Sequence, residues 1–142
     1  MHNVTGDKKV HSKQHGFTLI EAMITVAVIV ILATIAWPLY EEQSAKNRRT
    51  DGIGALITAS NDMEKCYSDQ ATFTGCTVSA TSPQGYYTIS VNIPDADSYT
   101  LTATPKAEYP DPTCTTLTLN NLGVKGFTSS DANTTVQRCW SQ

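Results

Sequence analysis

The chain has 142 residues, 16% of them charged, and a formal charge of −3. That is enough for one small domain, and its acidic balance does not favour strong nonspecific attachment to nucleic acid. All three histidines, His2, His11 and His15, fall within the first fifteen positions. The rest of the chain therefore has no imidazole for Ser/His or Cys/His chemistry. The carboxylate pairs Asp95/Asp97 and Asp62/Glu64 have the composition of a solvated loop and an exposed helix face. The residues point to no catalytic group and no cofactor.

Residues Gly16 to Tyr40 form an apolar run in which Glu21 is the lone charge. At 1.5 Å per residue, about 20 apolar helical residues match a hydrocarbon core about 30 Å thick, so the run can span a membrane. Lys8, Lys9 and Lys13 precede it and Glu41 and Glu42 follow it, which keeps the amino-terminal side cytoplasmic and sends the rest across. A secretory signal would close with small residues at a cleavage site, but Trp37, Pro38 and Leu39 stand there. Glu21 needs compensation, because a carboxylate inside a membrane helix costs roughly 2.5 to 3.5 kcal/mol on insertion scales. One answer is a glutamate that snorkels to the membrane edge. The other is pairing with a cation.

The string Gly16, Phe17, Thr18, Leu19, Ile20, Glu21 resembles the processing site of type IV pilin precursors. The likeness, closest to the type IVa group with its short leader, extends through Pro38, Tyr40, Arg49, Asp51, Met63, Glu64 and Tyr67. It resumes at Tyr86, Tyr87, the segment 101–105, Cys114, the segment 117–119, Gly123, Cys139 and Trp140. The resemblance implies that residues 1–16 are a leader, cut after Gly16 by a prepilin peptidase that methylates the new amine of Phe17. It implies that residues 17–40 are the transmembrane and filament-core helix and 41–142 a periplasmic head. It also implies docking of one subunit's Glu21 on a neighbour's Phe17 amine. The implied partners are other pilin subunits, the peptidase, an assembly platform, indirectly an assembly ATPase, and the inner membrane before extraction to an extracellular pilus. Without the leader, 126 residues with a formal charge of −5 remain.

Pro38 cannot donate to the carbonyl of Thr34, so a kink or a locally unwound segment is expected there. The resemblance implies melting of the stretch before it in a filament. Many relatives carry glycine where this chain has Val30, and a β-branched residue should resist unwinding that far upstream. Beyond Tyr40 the pattern stays helical to about Tyr67, with Ile53, Leu56, Ile57, Ser60, Met63 and Tyr67 as a core-facing stripe. Gly52 and Gly54 weaken the helix signal, at about 1 kcal/mol each against alanine.

Residues 86–93 and 98–104 alternate apolar with polar around a turn at Pro94, Asp95, Ala96 and Asp97, predicting an antiparallel hairpin. Residues 115–120 supply a third strand, a turn covers Asn120 to Gly123, and 124–128 add a short fourth. Residues 68–85 and 129–142 read as irregular. The predicted fold is α+β, a long amino-terminal helix on a three- or four-stranded antiparallel sheet.

Cys66, Cys76, Cys114 and Cys139 all lie beyond the membrane segment, where an oxidising compartment permits disulfides. Three connectivities exist, and Cys66 with Cys76 and Cys114 with Cys139 close the shortest loops. Zinc is disfavoured, because the cysteines lack CxxC spacing and every histidine lies in the leader.

The reading is a structural subunit of a type IV pilus, with a tail resembling minor pilins and roles in adhesion, twitching motility or DNA uptake. Two alternatives share the scaffold. A DNA-binding competence pilin would use cations, of which Lys65, Lys106, Lys125 and Arg138 are candidates and Lys106 and Lys125 the chosen pair. A type II secretion pseudopilin is disfavoured by the two cysteine loops.

Overall fold

The computed structural model describes residues 16–141; Lys8, Lys9, Lys13 and the three histidines, with most of the segment expected to be a leader, lie outside the described residues. The chain divides into two compact units after Pro38. Helix α1 runs Leu19–Gln70, followed by β1 (Tyr87–Asp95), β2 (Ser98–Pro105), β3 (Thr116–Asn120), β4 (Lys125–Thr128) and α2 (Val136–Trp140). The four strands form one antiparallel sheet in the order β1-β2-β3-β4. The helix assignment is unbroken through Pro38, so no unwound segment is present there.

In the head, α1 buries Ala45, Ile53, Ala55, Leu56, Ala59 and Met63. Against them pack Tyr87, Ile89, Tyr99, Leu101, Ala103, Leu117 and Leu119 from alternate positions of the first three strands. Each large apolar side chain taken out of water contributes about 1.5 to 3 kcal/mol. The stripe is narrower than predicted at one position, for Ile57 is half exposed. Leu56 and Met63 mark its centre, and the residue after Leu56 points about 100° further round the helix. Gly52, by contrast, lies on the buried face. A Cβ there would stand 2.9 Å from Cγ of Tyr87, so the glycine is where the helix and the aromatic ring close on each other.

Several boundaries differ from the sequence reading, α1 among them, which runs on to Gln70. Pro94 belongs to β1, and the turn shrinks to Ala96 and Asp97 between paired Asp95 and Ser98. Proline is accommodated because β1 is an edge strand whose register shifts between Asn92 and Asp95, where a missing N–H breaks no ladder bond. Asp95 closes the turn by accepting from the N–H of Asp97 (3.0 Å) and the hydroxyl of Ser98 (2.8 Å). These bonds hold its carboxyl below the ordinary carboxylate range, the Ser98 hydroxyl being the larger cause. The segment read as irregular after Ser129 contains α2, whose N-cap Thr135 accepts from the N–H of Arg138. At the amino end the helix starts at Leu19 rather than Phe17.

The disulfides are Cys66–Cys76, joining the end of α1 to the loop after it, and Cys114–Cys139, joining the entry of β3 to α2.

Candidate functional site

The first candidate region is the apolar half of α1. Large apolar side chains from Phe17 to Tyr40 are exposed, Phe17 at 85%. Thr18 caps the helix: its hydroxyl accepts from the N–H of Glu21 at 3.3 Å, and its carbonyl from the N–H of Ala22 at 3.2 Å. Threonine at the cap and glutamate three residues on is the capping-box spacing, and it places Glu21 in the first turn, where the helix dipole favours a negative charge. Phe17 lies two positions before Leu19, the first helical residue. Thr25 and Thr34 turn their hydroxyls onto the carbonyls of Ala22 (2.8 Å) and Ile31 (2.7 Å). These two hydroxyls are thereby satisfied within the helix, as hydrocarbon would require.

The second region is the cation-bearing surface of the head. The four sequence candidates do not converge. Lys65 is exposed on α1. Arg138 pairs with Glu42 at 2.9 Å, both side chains about half exposed. Lys125 on β4 stands 5.2 Å above the ring of Trp140, whose indole N–H donates to the carbonyl of Gly126 at 2.9 Å. Lys106 follows β2 and donates its backbone N–H to Tyr86 O at 2.9 Å. Through the pairings Lys125 with Leu119 and Leu119 with Leu101, Lys106 lies two strand spacings and five residues away. At about 4.8 Å per strand and 3.3 Å per residue the two lysines are roughly 20 Å apart.

Lys106 instead belongs to a group the sequence reading did not assemble. The rings of Tyr86 and Tyr109 meet edge to face at 4.8 Å, and the Arg48 guanidinium lies 6.0 Å from the Tyr109 centroid. The turn that carries Tyr109 is closed by its N–H donating to Lys106 O at 2.9 Å. Tyr86 is in turn positioned by Asp51, a buried carboxylate on α1 that accepts from the hydroxyl of Ser82 and the N–H groups of Gln84 and Tyr86. Two cations and two aromatic rings within one patch can combine phosphate attraction with stacking.

A buried ion pair joins α1 to the segment between β2 and β3. Arg49 Nε donates to Asp111 Oδ2 at 2.7 Å and Nη2 to Oδ1 at 2.9 Å, with side chains 5% and 2% exposed. The sequence signal for it was an arginine four residues before Ile53, on the apolar face, where a charge requires a buried partner.

The architecture is that of a subunit with an exposed apolar helix and a disulfide-bounded α+β head. Residues 38–118 match the family described as the type IV minor pilin ComP, DNA uptake sequence receptor, and residues 11–37 match the prokaryotic N-terminal methylation motif. Fimbrial protein EcpB of Eikenella corrodens is 54% identical over 50 residues, 33% of this chain and 31% of that protein. Fimbrial protein Q of Moraxella bovis is 44% identical over 64 residues, 45% and 38% respectively. The chain thus spans about a third of the length of these curated relatives. Among solved structures, a type IV pilin from Shewanella oneidensis is 30% identical with a TM-score of 0.52, covering 69% of this chain and 99% of that one. The non-core minor pilin PilV of Neisseria meningitidis shares the fold at 21% identity, TM-score 0.50, covering 68% and 93%.

The chain belongs to the type IV pilin family, whose members are structural subunits that assemble with other pilins into pili.

Proposed function

We propose that this chain is a minor subunit of a type IV pilus whose head contacts DNA. The observation that carries the DNA reading is the match of residues 38–118 to a DNA uptake sequence receptor family, a span that contains Arg48, Tyr86, Lys106 and Tyr109. Lys125, Trp140 and Arg138 fall outside that span, so the Arg48–Lys106 patch is the favoured contact and Lys125 the lesser one. The acidic net charge limits nonspecific attachment and leaves a local patch as the means of contact.

The precursor sits in the inner membrane through the apolar half of α1 with its head in the periplasm. A prepilin peptidase cuts after Gly16 and methylates Phe17, and the platform then extracts the subunit. In the filament, Glu21 of an incoming subunit docks on the Phe17 amine of its neighbour. The capping geometry supports this role, because Glu21 is held at the helix start close to where that amine is created. Pro38 is where the helix yields if subunits stretch during assembly.

The test is duplex binding by the full chain in detergent across a salt series. Charge reversal at Arg48 and Lys106 should weaken binding at least tenfold and flatten the salt dependence by about one to two contacts' worth of slope. Reversal at Lys125 should do less. No retention of DNA by the parent at low salt, or equal retention by the Arg48/Lys106 variant, would refute the DNA reading.

A further inference from the structure

The two disulfides are set in different surroundings. Cys66–Cys76 closes its own short loop, ordered by the N–H of Cys76 donating to Phe73 O at 3.0 Å; the Tyr67 hydroxyl beside Cys66 donates to Asp97 at 3.1 Å, and neither arm touches Arg49 in the hydrogen bonds of the described residues. Cys114–Cys139 is fully buried, and both of its arms are held by one side chain. The Arg49 fork grips Asp111, three residues before Cys114, through two bonds of 2.7 and 2.9 Å. Oδ1 of that same Asp111 accepts from the N–H of Cys114 at 3.0 Å and of Thr113 at 3.1 Å. The third guanidinium nitrogen, Nη1, donates to the carbonyl of Arg138 at 3.3 Å, one residue before Cys139. None of these contacts involves sulfur, so all of them can form while both cysteines are thiols.

We infer that Arg49 is the positioning residue for the Cys114–Cys139 bridge, gathering both arms on α1 before the sulfurs are joined. Closing a loop costs entropy that grows with its length, and Cys114 and Cys139 are 25 residues apart against 10 for the other pair. A planar guanidinium with donors on three nitrogens can hold a carboxylate and a carbonyl together, which an ammonium cannot do with the same geometry. The chemistry itself needs an external disulfide oxidant. One cysteine thiolate attacks the oxidant's disulfide and expels a thiolate, forming a mixed disulfide. The second thiolate then displaces the oxidant's remaining sulfur. Two electrons pass to the oxidant, which leaves as two thiols, and the cysteines give up two protons. Arg49 takes no part in the electron transfer and raises the effective concentration of one thiol at the other. It thereby also fixes α2, whose Trp140 covers the open side of β4 through its bond to Gly126.

The experiment is thiol–disulfide equilibration of the full chain in detergent against reduced and oxidised glutathione. Each bridge is quantified by alkylation and peptide mass spectrometry. In Arg49→Gln and in Asp111→Asn the effective concentration for Cys114–Cys139 should fall at least tenfold, while that for Cys66–Cys76 in the same molecules changes less than twofold. Arg49→Lys should be intermediate. Leu56→Ala, which weakens the core and leaves the clamp intact, separates positioning from general loss of stability. If Leu56→Ala lowers the Cys114–Cys139 value as much as Arg49→Gln does, or if both bridges fall together in Arg49→Gln, the inference is overturned. No change in either bridge overturns it equally.

Discussion

Gly52 and Gly54 sit two residues apart on α1, and the same substitution should act on them in opposite directions. At Gly52 a new Cβ would lie 2.9 Å from Tyr87 Cγ and 3.0 Å from both Cδ atoms. Ordinary carbon contacts are about 3.5 to 4.0 Å, so ring and helix must separate by roughly 0.5 to 1 Å. Tyr87 cannot easily retreat: it is 1% exposed, its N–H donates to the Ser82 hydroxyl at 3.0 Å, and it pairs with Pro105. Overpacking of this kind costs about 1 to 3 kcal/mol, against about 1 kcal/mol gained by replacing glycine inside a helix. Gly52→Ala should therefore destabilise the head by up to about 2 kcal/mol. At Gly54 nothing stands within 4 Å, so Gly54→Ala should stabilise it by about 1 kcal/mol. Urea titration of the full chain in nonionic detergent, followed by near-UV circular dichroism, resolves this, since with a slope of about 1 to 3 kcal/mol/M the two midpoints should differ by roughly 1 M. Equal shifts, or a higher midpoint for Gly52→Ala than for Gly54→Ala, would refute the close-approach argument.

Stability should decline in alkali. Burial, chiefly, pushes the Tyr87 and Tyr99 phenols above their ordinary 10.0, with the Asp111 charge adding at Tyr87, and the bond from Tyr67 to Asp97 raises that phenol too. A raised folded value means the unfolded chain loses its proton first. The stabilisation is therefore complete below pH 10 and is lost as pH rises above it, by about 1.4 kcal/mol per unit for Tyr87 alone. Denaturant midpoints from pH 8 to 12 check this, and Tyr87→Phe should flatten the slope. Leu56→Ala, at a fully buried position, should cost about 2 to 5 kcal/mol by the same titration. Glu21→Val should insert into the membrane normally and fail to enter filaments, as counted by immunoblot of sheared pili; normal incorporation would remove the docking role.

The periodic parts of the chain were legible because burial imposes them. Alternation placed the hairpin and third strand within a residue or two, and the three- and four-residue spacing found Ile53, Leu56 and Met63. Ile57 was misplaced because an apolar residue beside the stripe satisfies the same spacing rule while pointing away from the sheet. Pro94 was assigned to a turn because a proline N–H deficit is harmless only on an edge strand, and edge position is a property of the assembled sheet. Helix α2 was missed because five residues are too few to show a period; its order comes from the Thr135 cap and the Cys139 bridge. The buried Arg49–Asp111 pair spans 62 residues, and the grouping of Arg48, Tyr86, Lys106 and Tyr109 joins a helix, a linker and a loop. Helical spacing can mark Arg49 as lying on the apolar face, but contacts of that range leave no local trace of which partner they join. The start of the helix was set two residues too early because Thr18 was read as part of the apolar run rather than as its cap.

The central claim is that the described helix becomes the core of a filament after the leader is removed. Intact mass spectrometry of the chain recovered from purified pili tests this most directly. The account predicts a species that begins with N-methylated Phe17 and carries both disulfides, so that it is four hydrogens lighter than its reduced form. A chain in assembled pili that still carries residues 1–16 would contradict it.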